Sequence, residues 1–342
     1  MAAPSQTVRE RYSRQVLFAG IGPDGQDRVE HAHVAVVGVG ATGAVAASLL
    51  ARAGVGTLTL IDRDFVEESN LQRQVLFDEA DARDSQPKAQ AARRKIAAFN
   101  SEIEIRAHVA DLVPGNIHEL LQGVGIILDA TDNFETRYLI NDYAIEQSKP
   151  WIYAAAVGSY AVTMNIVPGE TPCLACIFPE PPGGAVETCD TAGILNTAVN
   201  LAASIEVTEA LKWIVGARDT MRRTLLSCDV WTNQWTEIAA APRPNCTVCG
   251  QRNFVHLRGE GRPHITLCGR NSVQIHERSR PIDLAAMEER LRPHGHVLRN
   301  DLLLRFERGE HTLTLFADGR AIIQGTTDVA VARSLYARFV GS

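Results

Sequence analysis

The chain has 342 residues, ample for a buried core in one large domain plus a smaller one, and its 45% hydrophobic and 22% charged residues are ordinary for a soluble globular protein. A formal net charge of −6 argues against a general nucleic-acid binder, so a polyanionic ligand would have to be met by local clusters of Arg and Lys. No apolar run approaches the roughly 18 residues of a membrane span, and MAAPSQTVRER is no secretory signal, so the expectation is a cytoplasmic protein without membrane or nucleic-acid partners.

The first elements are RERYSRQVLF, a short helix, and GPDGQDRVEHA, a second helix. By spacing alone Arg14, in the first, is a surface arginine. VAVVGVG is short and β-branched enough for a buried strand, and it passes through Gly38, Gly40 and Gly43 into the helix ATGAVAASLLARAG. Glycines there let the backbone turn tightly and approach a phosphate, which the helix amides and dipole attract. A second strand, TLTLI, ends on Asp62, placed to accept hydrogen bonds from a ribose. Glycine-rich turns also occur where a helix merely packs close to a strand, so the motif is weak until joined to the residues beyond Asp62. DRDFVEESNLQRQ supplies Asp64, Asn70, Arg73 and Gln74, and SQPKAQAARRKIAAF supplies Lys88. A dinucleotide pyrophosphate is held largely by backbone amides, whereas a triphosphate calls for Arg and Lys beside the loop. Arg73 and Lys88 as solvated surface charges are the bland alternative; their position just past the ribose acid favours ATP over NAD.

The helix from Lys88 leads to the strand EIEIRAHV, and the alternation of strand and helix indicates a doubly wound α/β sheet. VGIILDATDN is the next buried strand, with Asp129 and Asp132 at its C-terminal end, where ligands of such sheets bind. A carboxylate there can hold Mg²⁺ beside a triphosphate, or it can cap the helix NFETRYLINDYAIEQS. WIYAAAVGSYAVTMNIVPG reads as two strands. Seven cysteines include two C-x-x-C pairs, Cys173 with Cys176 and Cys246 with Cys249. In a reducing cytosol two such pairs favour a closed, structural zinc site over a redox dithiol. Cys189 lies in the Pro- and Gly-rich loop PEPPGGAVETCDTAG, where a polar setting favours a reactive thiol. ILNTAVNLAASIEVTEALKWIVG is a long helix, apolar nearly all round and so buried in the core or at a subunit interface. RTLLSCDVWTN, with Cys228 as a core residue, and QWTEIAA are two further strands. The expected domains are 1–250, carrying the nucleotide and zinc sites, and 251–342, a small α+β module of strands HITLCGRNSVQIHE and DLLLRFERGEHTLTLFADGRAIIQGT with two helices. Its Cys268, His264, His276 and His311 are too scattered for a metal site.

The runs GVGATG, IDRDFVEESNLQRQ, QPK and LDATDN, in that order, resemble the ThiF/MoeB/HesA family of ubiquitin-activating-enzyme-like adenylyltransferases over roughly Arg11 to Gly250. The resemblance implies a Rossmann-like sheet of the ubiquitin-activating-enzyme type that uses ATP to adenylate the C-terminal glycine of a ubiquitin-like sulfur carrier, ThiS-like or MoaD-like. It further implies a homodimer in which Arg14 reaches the partner's triphosphate, Asp132 rather than Asp129 as the magnesium ligand, and Arg73 and Lys88 as catalytic cations. Cys189 would take part in transfer of the activated carboxyl or of sulfur, from a donor such as a cysteine desulfurase or sulfurtransferase. An adenylyltransferase acting on a peptide or free acid stays open, as does, from the glycine loop alone, an NAD-dependent oxidoreductase.

Overall fold

A computed structural model describes residues 10–180, 192–260, 266–267, 272–276, 282–300, 303–317 and 319–340. The chain divides into two compact units, the first running through Gly259 and the second beginning at Glu260. Among the described residues no helix is long and apolar enough to cross a membrane.

Among its described residues the first unit holds eight strands: β1 (His33–Val37), β2 (Thr57–Ile61), β3 (Glu104–His108), β4 (Ile126–Asp129), β5 (Trp151–Val157), β6 (Tyr160–Ile166), β7 (Leu225–Asp229) and β8 (Gln234–Ile238). They form one sheet in the order β3-β2-β1-β4-β5-β6-β7-β8. The strands from β3 to β5 are parallel, and the remainder is an antiparallel extension. The change has a local cause: only Gly158 and Ser159 separate Val157 from its partner Tyr160, and so short a link can only reverse the chain. Gly158 has φ +59°, which glycine adopts without strain.

Nine α-helices are described in this unit: α1 (Ser13–Val16), α2 (Gly22–Glu30), α3 (Ala41–Ala53), α4 (Glu79–Arg83), α5 (Lys88–Phe99), α6 (Ile117–Leu120), α7 (Phe134–Glu146), α8 (Leu174–Ile177) and α9 (Asn196–Val215). Alternate strand residues separate two layers. Val34, Val36, Leu58, Leu60, Ile126 and Leu128 pack with α3, α5 and α9, where Ala44, Ala47, Ala203 and Ala210 permit close approach. Ala35, Val37, Ile61 and Ile127 pack with Ile117 of α6 and Tyr138, Leu139 and Ile145 of α7. Thus α3 leaves β1 on one face and α7 leaves β4 on the other. The ends of these adjacent strands part there, the place where ligands of doubly wound sheets bind.

Residues 251–259 join the first unit: Asp142 of α7 accepts hydrogen bonds from the backbone N–H of His256 and Leu257. In the second unit β9 (Thr266–Leu267), β10 (Ser272–His276), β11 (His296–Arg299), β12 (Leu303–Arg308), β13 (His311–Phe316) and β14 (Arg320–Gln324) form an antiparallel sheet, ordered β11-β12-β13-β14-β10-β9. One face packs on α10 (Leu284–Leu291) and α11 (Val329–Phe339) through Val273, Leu304, Phe306, Leu313, Tyr336 and Phe339. Asp283 and Asp328 cap the two helices.

Candidate active site and cysteine corner

The glycine loop is sterically tight at two points and open at a third. Gly38 has φ +85°, and a Cβ on it would sit 2.6 Å from the carbonyl oxygen of Ala130; one on Gly43 would sit 1.9 Å from that of Gly38. At Gly40 the nearest atom to such a Cβ is Gln74 Nε2, at 3.9 Å, so the chain itself does not demand glycine there. The open cradle suits a ligand oxygen approaching the backbone. Asp62 braces the loop: its Oδ2 accepts from Val39 N–H at 2.6 Å and its Oδ1 from Asp64 N–H at 2.7 Å. Burial pushes its pKa up, and the nearby Lys88 opposes that rise.

Two helices begin at this end of the sheet without a side-chain cap, α3 at Gly40 and α5 at Pro87. By contrast α4 and α7 are capped by Asp78 and Asn133. Uncapped amides and the positive ends of two dipoles therefore face the parting of the strands, a setting suited to phosphate. Lys88 stands in the first turn of α5, 2% exposed, with its Nζ 3.3 Å from Asp64 Oδ2. Arg73 is half-buried, and its Nη1 donates to the carbonyl of Ser69. The Oδ1 of Asn70 accepts from Glu67 N–H. Gln74 is buried beside Gly40, and its Oε1 has no hydrogen-bond partner. An orphaned acceptor, an open cradle and a lysine make a donor and acceptor set that fits a nucleotide.

The turn after β4 abuts the loop, since the space beside Gly38 is bounded by Ala130 and Thr131. Asp129 is fully buried in an ion pair with Arg137. Asp132 is exposed on the turn, and Asn133, not Asp132, caps α7 by accepting from Thr136 N–H. Asp132 is thus left for a ligand, and an exposed carboxylate beside a phosphate cradle fits Mg²⁺. Arg14 lies elsewhere. Its neighbour Gln15 donates to the carbonyl of Ala53, the last residue of α3, and Arg11 to that of Phe99, the last of α5. With 13 residues in α3, about 20 Å separates that end from the glycine loop.

Cys173, Cys176, Cys246 and Cys249 converge, all four sulfur atoms within 4.8 Å of one another. Separations of 3.9 Å (Cys173 to Cys176), 3.6 Å (Cys173 to Cys246) and 3.4 Å (Cys176 to Cys249) bracket the ~3.8 Å edge of a tetrahedron with zinc–sulfur bonds of about 2.3 Å. Burial and mutual repulsion push the Cys173 thiol up and that of Cys249 up to about 12. Burial also raises Cys246, but hydrogen bonds from the amides of Cys249 and Val248 and from the Cys173 and Cys176 thiols together bring it down to about 7. A dication would allow all four to ionise, so the set fits closed, structural zinc. The corner packs on α7, not on the long helix α9: Leu174 N–H donates to Asn141 Oδ1 and the Tyr138 hydroxyl to Phe178 O.

A model of the ThiF family matches residues 12–248. The chain belongs to the ThiF family. This ThiF-family chain is 44% identical over 337 residues to the sulfur carrier protein ThiS adenylyltransferase of Bacillus subtilis, covering 97% of the chain and 99% of that relative. It is 36% identical over 247 residues to the sulfur carrier protein adenylyltransferase of Thermus thermophilus, covering 70% and 90%. Over 249 residues it is 40% identical to the probable adenylyltransferase/sulfurtransferase MoeZ of Mycobacterium tuberculosis, covering 71% and 63%. Among solved structures, E. coli MccB with ATP superposes with a TM-score of 0.61 at 26% identity, covering 70% of this ThiF-family chain and 74% of that one.

Cys189 lies outside the described residues, as do His264 and Cys268. Cys228 is buried in β7, as a core residue should be. Among the buried charged residues that escaped the sequence reading are Arg137, Asp142 and Glu206. Their one signal was a charge within otherwise apolar helical stretches.

Proposed function

We propose that this chain is an adenylyltransferase that uses ATP to activate the C-terminal glycine of a ubiquitin-like sulfur-carrier protein for thiocarboxylate formation in thiamin or molybdopterin biosynthesis. The observation that carries the reading is the convergence, at one end of the sheet, of the open cradle at Gly40, two uncapped helix starts, Lys88 and the Asp132 turn. The match to the ThiS adenylyltransferase runs through the C-terminal unit, which favours a ThiS-like carrier.

In the reaction a carboxylate oxygen of the carrier bonds to the α-phosphorus of ATP, the bridging α–β P–O bond breaks, and pyrophosphate leaves with that electron pair. The carboxyl titrates near ~3.5, so the nucleophile is already ionised and no general base is needed. The barrier lies in bringing an anion to a polyanion. Lys88 and Arg73 neutralise phosphate charge from fixed positions, and the amides opening α3 and α5 add to them. Asp62 keeps lone pairs for the ribose hydroxyls. Asp132 is the residue that would hold magnesium, which supplies further neutralisation of the phosphates.

Arg14 serves the partner's site in a homodimer, because it sits beyond the far end of α3 from its own crevice. Leu17 and Phe18 beside it are 74% and 66% exposed, and Val75, two residues from Arg73, is 57% exposed; a symmetric contact would bury them. Trp231, Tyr160, Trp235 and Ile238 are exposed on the antiparallel extension, with Trp235 on the face opposite Tyr160 and Ile238, and this extension is where the folded body of the carrier docks. Cys189 acts after adenylation, as a thiol meeting the acyl-adenylate or the sulfur supplied by a donor.

The decisive experiment is ATP–pyrophosphate exchange with a ThiS-like carrier, with a free acid or short peptide, and with neither. Exchange only with the carrier is expected; equal exchange with a free acid would overturn the assignment. Mixing Arg14→Ala with Asp132→Ala chains should restore about a quarter of wild-type activity if subunits exchange statistically. No recovery would rule out action of Arg14 across the interface.

A further inference from the structure

Beneath the turn that carries Asp132 lie three ionisable groups that the reaction above leaves without a role: Asp129, Arg137 and Glu206, which are 0%, 6% and 0% exposed. Arg137 projects from the first turn of α7. Its Nε donates to Asp129 Oδ2 at 3.1 Å, and its Nη2 donates to the carbonyl oxygens of Thr131 at 2.6 Å and Ala154 at 3.3 Å. The guanidinium lies 5.0 Å from the centre of the Tyr153 ring and 5.2 Å from that of Phe134. One planar group therefore grips the end of β4, the middle of β5 and the residue before Asp132. Asp129 holds the same turn from the other side, its Oδ1 accepting from both the N–H and the hydroxyl of Thr131.

Glu206 comes from α9, on the opposite layer. Both of its carboxyl oxygens are buried and neither has a hydrogen-bond partner. The helix packs against α2, α3, β4, β5 and β6. Of the charged groups there, Asp129 and Arg137 are those whose fields reach Glu206. Glu209, on the same helix, is taken up by Lys212, Asn165 and the backbone N–H of Arg222, and Arg28 of α2 donates to the carbonyl of Val215. Tyr153 of β5 stacks with Arg137, and Arg52, at the far end of α3, lies over Phe99. Glu206 as the neutral acid leaves Arg137 with one buried counter-charge. As a carboxylate it would be a second anion competing with Asp129 for the same guanidinium.

We propose that Arg137 and Glu206 are positioning residues for the nucleotide site: Arg137 clamps the turn that presents Asp132, and Glu206, buried beside the pair, keeps that clamp on Asp129. The proposal rests on the adenylyltransferase reading for its kinetic test, and on the geometry alone for its binding test. Burial drives the pKa of Glu206 well above the carboxylate range; Asp129 adds to the rise and Arg137 opposes it. Burial thus favours the neutral acid, which gives way to the carboxylate as the pH is raised.

The test compares wild type, Glu206→Gln and Arg137→Lys, each as the full chain. Glu206→Gln keeps the shape and cannot ionise. In carrier-dependent pyrophosphate exchange between pH 6.5 and 10, its alkaline midpoint should lie about one pH unit or more above that of wild type. Arg137→Lys keeps the charge but loses the planar fork, and should raise the KM for MgATP about tenfold with a smaller change in kcat. The rise in melting temperature on adding MgATP needs no carrier. It should fade as the pH is raised in wild type and persist in Glu206→Gln. Identical alkaline behaviour of wild type and Glu206→Gln in the melting experiment, or an unchanged KM in Arg137→Lys, overturns the proposal. Absence of exchange with any carrier while the melting difference persists would instead overturn the assigned reaction and leave the positioning role standing.

Discussion

At the cysteine corner four like groups, contributed by two short segments, lie 3.4–3.6 Å from their nearest neighbours, and one chain supplies a complete ligand set. At the nucleotide end the charged groups are of both signs, come from loops after β1, β2 and β4 and from the start of α5, and leave an acceptor on Gln74 without a partner. The first arrangement is closed and asks only for an ion. The second is open and incomplete, as a site must be if substrate atoms are to finish it. Damage to the corner should therefore be felt as stability, and damage to the nucleotide end as chemistry.

The sharpest break in that contrast would come from the nucleotide end. Asp132→Ala and Lys88→Met should each lower carrier-dependent exchange by about 100-fold or more while the chain still melts cooperatively. Asp132 is exposed, and loss of Lys88 leaves Arg63 within 3.8 Å of Asp64. Wild-type exchange in either variant at saturating ATP would remove the basis for the site. The corner should respond in the opposite way. Cys246→Ser is expected to lose a bound zinc by elemental analysis and on the order of 3 kcal/mol of stability or more, with exchange per folded molecule within about threefold of wild type. Metal-free wild-type protein of unchanged stability would show that the thiols need no ion.

A smaller effect refines the stability half. Asp142, on the helix that carries the corner, has its pKa pushed to about 6 by burial, against the N–H groups of Leu257 and His256. Because the folded value exceeds the unfolded one, near ~3.9, its contribution is present below pH ~4 and is lost as pH rises through about 6. Asp142→Asn should thus gain on the order of 1 kcal/mol over wild type at pH 7.5 and little at pH 4, read by chemical denaturation. A variant weaker at both pH values would mean that the amides need a charged acceptor.

What was legible in the sequence was what neighbouring residues decide. The turn at Gly38, the close packing at Gly43 and the two C-x-x-C pairs each express a short-range constraint, and the structure places them as spacing suggested. The roles of Arg137, Asp142 and Glu206 are set by layers meeting across the sheet, which no local pattern records. The cap of α7 illustrates the boundary: Asn133 and Asp132 are both good capping residues, and the backbone chose between them. The strand His296–Arg299 went unread because three of its four side chains are exposed and it has no apolar alternation.

The two-residue link at Gly158 and Ser159 also bears on how fast the sheet assembles. Strands β5 and β6 meet with almost no chain to close, a step that takes microseconds in isolated hairpins, whereas β1, β2 and β4 must each wait for a long crossover. The hairpin offers an early template whose free edge is β5, the strand on which the parallel half is laid through β4. A Cβ at position 158 meets nothing within 4 Å, so a side chain there would strain only the turn. Its cost would fall on the rate of folding more than on the rate of unfolding.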